Sequence, residues 1–302
     1  MARNRQRKGN PVNGMLLLDK PEGCSSNQAL QKAKFLLNAR KAGHTGSLDP
    51  IATGLLPLCF GETTKISSLF LNADKTYRVE IKLGVSTETG DREGKILEKK
   101  AVDVDQPQIE KVLDCYRGHF NQIPPMYSAL KKNGQPLYKL ARQGITLERE
   151  ARPVCVYSLV MEAFAGDLLT LTVSCSRGFY IRTLAEDIGQ DLGCGAHVES
   201  LRRIRVGDFS IEQAVTLEQL QAIVTPAQRE NILLPTDRGL AHLPEIRIPD
   251  NLAQYIKLGQ SVRAAQGITP GLVRLYAETS GFIGLAEVTE DYRLAPRRLF
   301  SS

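Results

Sequence analysis

The residues with the clearest chemical potential lie between Gly43 and Pro57, in the string GHTGSLDPIATGLLP. Asp49 is the only carboxylate in that string. Gly46, Asp49 and Pro50 favour turns, and Pro50 biases Asp49 away from helical geometry. Apolar Ile51, Leu55 and Leu56 follow. A carboxylate on a tight loop backed by an apolar run is badly placed to be a solvated surface charge. It either caps its turn by accepting backbone N–H groups or acts as a nucleophile or base. The residues alone leave both readings open.

Two more side chains invite a chemical reading. Arg182 opens a helical stretch, where the helix dipole favours anions, so a cation there implies a carboxylate partner. Tyr77 falls on the apolar face of an alternating segment, and periodicity alone makes it a core tyrosine. The six cysteines are scattered without a CxxC pair, and the four histidines do not cluster with them. No disulfide framework or zinc site is visible, so ordinary side chains must carry any catalysis.

The elements that must position these groups are readable in outline. Met15 to Leu18 is an apolar run leading into Asp19-Lys20-Pro21, a buried strand and its loop. Ser25 and Gln28 have capping-box spacing, and Ala29, Ala33, Leu36 and Leu37 then recur at helical spacing. From Thr76 to Gly84, apolar and charged residues alternate as in a half-buried strand. Pro107 opens a helix with Ile109, Val112, Leu113 and Tyr116 on one face. Val154–Phe164 and Leu168–Cys175 read as strands joined at Gly166-Asp167. Arg182 to Leu192 is a helix that stops at Gly193, and a further helix is expected from near His197. Beyond about residue 245 short strands separated by glycine turns begin (Leu272–Ala277, Phe282–Val288), with Pro244 to Pro249 as a linker. Strands and helices are interspersed without a βαβ rhythm, so the fold class is α+β.

With 302 residues, the chain can bury one large core or two unequal ones. A net charge of +6 favours a polyanionic partner. Arg3, Arg5, Arg7 and Lys8 make residues 1–10 a basic arm, which either meets that partner or only aids solubility. No apolar run approaches the roughly twenty residues that span a bilayer, and the N-terminus lacks a signal-peptide stretch. These features predict a soluble, cytoplasmic protein. Nucleotide-binding enzymes are excluded, because neither GxGxxG nor GxxxxGK[ST] occurs.

The string around Asp49 resembles the nucleophile motif of the TruB family of tRNA pseudouridine synthases, and the likeness runs on through nearly the whole chain. DKPEGCSSNQAL from Asp19, KTYRVEIKLGVSTETGDREG from Lys75, IPPMYSALKKNGQPLYKLARQG from Ile123 and CSRGFYIRTLAEDIG from Cys175 each match a family signature. The match weakens from about Leu217, although the terminal APRRLF resembles the end of the family's small RNA-binding domain, related to the PUA fold. Phe179 stands where a threonine is more usual, and Ser47 is a minor departure.

The resemblance implies a catalytic domain over residues 11–245, with a mixed, mainly antiparallel sheet flanked by helices and loops. It implies a thumb-like insertion at about 120–152 and a PUA-like RNA-binding domain over 246–302. The implied activity is isomerisation of uridine-55 in the T loop of tRNA. That reaction breaks the bond from C1′ to N1, turns the base and joins C1′ to C5, with no redox step and no atom lost. It therefore calls for neither cofactor nor metal. A carboxylate suits it, much as in retaining glycosidases, whether Asp49 attacks C1′, attacks C6 or first deprotonates C2′. In a closed, base-filled pocket such a carboxylate needs a cation, the role implied for Arg182. Tyr77 is implied to stack on the flipped uracil and to assist at C5, Tyr180 to pack against Asp49 and the base, and Leu201 to line the uracil pocket. His44 suits the gap left by the extruded base. Lys20 supports the nucleophile loop or, like Lys131, Lys132, Lys139 and Arg142, meets phosphates.

The implied partner is tRNA, through its T stem-loop, with no membrane, no obligatory protein partner and a monomeric enzyme. Two rivals remain. One is a dyskerin-type synthase that depends on a guide RNA, against which the long basic segment from Phe120 to Arg152 argues. The other is a non-catalytic RNA-binding or RNA-folding protein, which the intact Asp49, Tyr77 and Arg182 disfavour.

Overall fold

The structure is a computed structural model that describes residues 9–132, 134–265 and 267–300. The basic residues Arg3, Arg5, Arg7 and Lys8 of the N-terminal arm lie outside the described residues. The chain runs through β1 (Gly14–Lys20), α1 (Ser26–Leu36), β2 (Ala42–His44), β3 (Thr53–Phe60), α2 (Ser67–Leu71) and β4 (Lys75–Leu83). It continues through β5 (Val85–Thr87), β6 (Ile96–Lys99), α3 (Gln106–Asp114), β7 (Gly118–Gln122), β8 (Lys131–Lys132), β9 (Gln135–Pro136) and α4 (Leu137–Ala141). Next come β10 (Arg152–Ala165), β11 (Leu168–Cys175), α5 (Ile181–Asp191), β12 (Ala196–Val206), β13 (Phe209–Ser210), β14 (Val215–Thr216), α6 (Leu217–Ala222) and α7 (Pro226–Glu230). The last elements are β15 (Glu245–Ile248), α8 (Asp250–Lys257), β16 (Val262–Arg263), β17 (Gly271–Ala277), β18 (Gly281–Val288) and β19 (Arg293–Leu299).

A ten-stranded sheet, ordered β14-β1-β3-β12-β4-β11-β10-β7 with β13 on β12 and β2 on β3, forms the body. Only β1–β14 and β3–β12 pair in parallel, so the sheet is mixed and mainly antiparallel. Its apolar strand positions are covered by helices whose sequences specify them. The α1 helix opens on a complete capping box of Ser25 and Gln28 and buries Ala29, Leu30 and Ala33. The α5 helix buries Leu184, Ala185 and Ile188 in the core that holds Val79, Ile81 and Val198. α3 opens on a second box, Asp105 with Gln108, and buries Ile109 and Leu113.

Two expectations fail. The segment after His197, expected as a helix, is the central strand β12, hydrogen-bonded to β3 on one side and β4 on the other. Its pairing with β4 slips at Val198/Ser200 and again at Arg203/Arg205, and two bulges destroy the period of two that would mark a strand in sequence. The supposed linker between Pro244 and Pro249 is β15, which pairs in parallel with β17 from Glu245↔Arg274 to Ile248↔Ala277. The two prolines bracket this strand without entering it, as proline's missing N–H requires.

The C-terminal residues form a five-stranded sheet, β15-β17-β18-β19-β16, with its own apolar core around Ile256, Leu275 and Leu294. A second face of that sheet is shared with the body. Leu285 is buried with Met15, Leu17, Phe70, Val206 and Leu240, and Phe282 and Phe300 pack against the same cluster.

Candidate active site

Asp49 sits in a loop between β2 and β3 that is fastened at several points. Thr45 donates its N–H and its hydroxyl to the Pro57 carbonyl, at 3.2 and 3.1 Å. The Ser26 hydroxyl, in the first turn of α1, accepts from the Leu48 N–H at 2.7 Å and donates to the Leu48 carbonyl at 3.0 Å. The Asp49 carbonyl accepts from Ala52 N–H, and the Pro50 carbonyl accepts from Gly23 N–H. Lys20 is fully buried, with its ammonium on the carbonyls of Cys24 (2.6 Å), Pro21 (2.8 Å) and Pro50 (3.5 Å). Lys20 thus lies behind the loop and does not reach the cleft. A phosphate cannot approach it, which removes the phosphate alternative for this residue. Burial lowers its pKa.

The Asp49 carboxylate projects into a cleft of roughly 960 Å³, with its side chain 45% exposed. Arg182, in the first turn of α5 and almost wholly buried, places Nη2 3.0 Å from Asp49 Oδ2. The carboxylate partner expected for a cation at a helix start is therefore present. Arg182 also donates from Nη1 to the Thr89 carbonyl at 2.9 Å and from Nη2 to the Tyr127 carbonyl at 2.7 Å. Its Nε lies 3.8 Å from Oδ2 of buried Asp91, whose Oδ1 is fixed by the Thr89 hydroxyl and the Glu93 N–H. One guanidinium therefore joins α5, the β5–β6 turn, the segment after β7 and the Asp49 loop. Such a fork cannot be imitated by an ammonium.

Tyr77, Tyr180, Leu201 and His44 line the same cleft. Tyr77 lies between the two main cores and touches both, so the packing role read from periodicity and a place in the cleft coexist. Burial raises the pKa of its hydroxyl, while the charge and a hydrogen bond of Arg203 oppose that rise. Tyr180 occupies the N-cap position of α5. Its N–H donates to Gln122 Oε1 and its carbonyl accepts from Gln122 Nε2, at 2.9 and 3.1 Å. Burial raises the Tyr180 hydroxyl as well. Leu201 belongs to β12, opposite Val79, not to a helix. His44 ends β2, and its Nδ1 is buried with no hydrogen-bond partner. Burial, with a smaller contribution from the Arg203 charge, lowers its pKa and favours the neutral ring.

Several site residues escape a reading of the sequence. Asp91 stands inside the TGDREG string without spacing that links it to Arg182. Gln122 and Arg203, 3% and 2% exposed, look like surface residues by type. Reading 196–206 as a strand would have put Arg203 on the face of Leu201, two positions away. Among the described residues, no three His, Cys, Asp or Glu side chains gather to hold a metal ion.

Known proteins resemble this chain over nearly its whole length. Residues 34–181 match the model of the TruB family pseudouridylate synthase N-terminal domain, and residues 182–241 match the tRNA pseudouridylate synthase B C-terminal domain. Residues 244–300 match the C-terminal model of pseudouridine synthase II TruB. A tRNA pseudouridine synthase B of Pseudomonas aeruginosa (strain UCBPP-PA14) is 52% identical over 294 residues, covering 96% of this chain and 97% of its own. Its counterpart in Ectopseudomonas mendocina (strain ymp) is 54% identical over 291 residues, covering 95% of each chain. Among solved structures, a chain of a Cbf5-Nop10-Gar1 complex superposes with a TM-score of 0.74 at 26% identity, over 96% of this chain and 85% of that one. The chain belongs to the TruB family of pseudouridine synthases.

Proposed function

We propose that this protein isomerises uridine-55 in the T loop of tRNA to pseudouridine, with Asp49 as the reacting carboxylate on a flipped-out uridine. The observation that carries the proposal is the Asp49–Arg182 pair, closed at 3.0 Å in a cleft that Tyr77 also lines. The names of close relatives supply the substrate class. Asp49 either attacks the sugar or base or removes the C2′ proton, and Arg182 balances its charge throughout. Tyr77 carries the uracil on its ring, with its hydroxyl near the proton that leaves C5. Leu201 and Tyr180 wall the base in, so that it can turn without escaping. His44, neutral and flat, fills the space in the RNA stack that the base leaves.

The catalytic domain is residues 11–245. The excursion of about 120–152, with exposed Lys131, Lys132, Lys139 and Arg142, acts as a thumb on the RNA backbone, and residues 246–302 form a PUA-like RNA-binding domain. Arg142 and Tyr138 line the cleft from this excursion. The purified protein should convert a bare tRNA transcript without guide RNA or partner protein, measured as release of tritium from 5-³H-uridine. Turnover only on addition of a guide RNA would move the protein to the dyskerin type. Binding without turnover would make it a non-catalytic RNA-binding protein.

A further inference from the structure

Arg203 is one of the most deeply buried side chains in the molecule, yet it lines the cleft. Among the described ion pairs it has no carboxylate partner. A buried cation without a counter-charge costs several kcal/mol, so a fold seldom keeps one without a use for it. Its bonds suggest the use. Nε donates to the Leu55 carbonyl at 2.7 Å and Nη2 to the Gly46 carbonyl at 3.2 Å, the latter three residues before Asp49. Tyr77 is its cross-strand partner in the β12–β4 ladder, and the Arg203 charge works against the burial that raises the Tyr77 hydroxyl.

We propose that Arg203 is a positioning residue of the reaction, one guanidinium that ties the nucleophile turn to the tyrosine that carries the target base. Two glycines lie against it. At Gly54, opposite Arg203 in the β3–β12 ladder, φ is +102° and a Cβ would lie 2.3 Å from the Arg203 carbonyl oxygen. Only glycine lets β3 approach β12 this closely. At Gly46 φ is +134°, and a Cβ there would face Nη1 of Arg203 at 3.7 Å. Leu201, Arg202 and Arg203 pair in regular register with Val79, Arg78 and Tyr77, so Arg203 shares the face of Leu201 and Tyr77. The same charge contributes to keeping His44 neutral and, with burial as the larger cause, to lowering Lys75 to about 8.

The proposal rests on the pseudouridine synthase reading, which turnover by the parent protein tests separately. The test is single-turnover tritium release from a T stem-loop, with stem-loop affinity and thermal midpoint measured alongside. Arg203→Lys keeps the charge but cannot bridge the acceptors. It should slow the single-turnover step by about thirtyfold or more while affinity holds to within about threefold. In a Tyr77→Phe background the same change should cost clearly less than in the parent, because the hydroxyl it orients is already gone and only the tie to the Asp49 turn remains. If Arg203→Lys fails to fold, Arg203→Gln, which keeps a donor at the position, is measured in the same two backgrounds. An unchanged rate, a loss confined to affinity, or losses that multiply independently of Tyr77 would each overturn the assignment. With an active parent, those outcomes leave the enzyme's function standing and remove only the role of Arg203.

Discussion

Asp49 and Arg182 are 133 positions apart in sequence, and their meeting follows from two local rules. Turn-forming residues hold the carboxylate on a loop, and a cation at a helix start needs an anion nearby. The loop and the anion that Arg182 needs can be read from residue types, but the chemical role of Asp49 and its pairing with Arg182 came only with the family resemblance. Asp91 and Arg203 were not legible: Asp91 has no spacing that links it to Arg182, and Arg203 went unread because the segment after His197 was taken for a helix. Lys20 was legible in kind only: the sequence allowed a phosphate contact, whereas the structure turns its ammonium onto three carbonyls behind the loop. Arg182 contacts Asp49 together with the Thr89 and Tyr127 carbonyls, with Asp91 close to Nε. Arg182→Lys should therefore lower the tritium-release rate by roughly a hundredfold or more, with tRNA binding largely kept. Parental rates in that variant would make Arg182 a structural residue only.

The elements show which patterns carry over from sequence to fold. α1 was legible from its capping box and helical spacing, α3 from Pro107 and its apolar face, and α5 from helical spacing with Gly193 as its stop. β12 was not, since bulges break its alternation, and β15 was hidden between prolines that looked like linker residues. The α5 helix offers a test of packing apart from catalysis. Burial and the neighbouring Asp191 raise Asp187 from 3.8 to about 6. A carboxylate raised in the folded state binds its proton more tightly there than in the unfolded chain. Its penalty is thus absent below the unfolded pKa and fully present once pH has risen through the folded one. Asp187→Asn should raise the thermal midpoint at pH 7.5, and the gain should shrink between about pH 6 and pH 4 and then vanish. A gain that grows toward acid would contradict this account.

At the scale of the whole molecule, the C-terminal sheet is docked on the body through a shared apolar cluster. Leu285, Phe282 and Phe300 complete an apolar cluster with Met15, Leu17 and Phe70 of the body. The Tyr276 hydroxyl donates to Asp237, and Lys65 donates to the Leu299 carbonyl. Deleting the chain after Leu243 should therefore weaken tRNA binding and also lower the thermal midpoint of what remains, because large apolar side chains lose their cover. An unchanged midpoint would show that the shared cluster contributes little. Binding to full tRNA should weaken steeply with salt, as phosphate contacts release counterions. The most direct test of the central claim is tritium release from a 5-³H-uridine T stem-loop by the parent protein and by Asp49→Asn. The account predicts release from position 55 by the parent, and loss of turnover in the variant with RNA binding retained. Residual activity in Asp49→Asn within about tenfold of the parent would contradict it, since losing the reacting carboxylate costs far more than that.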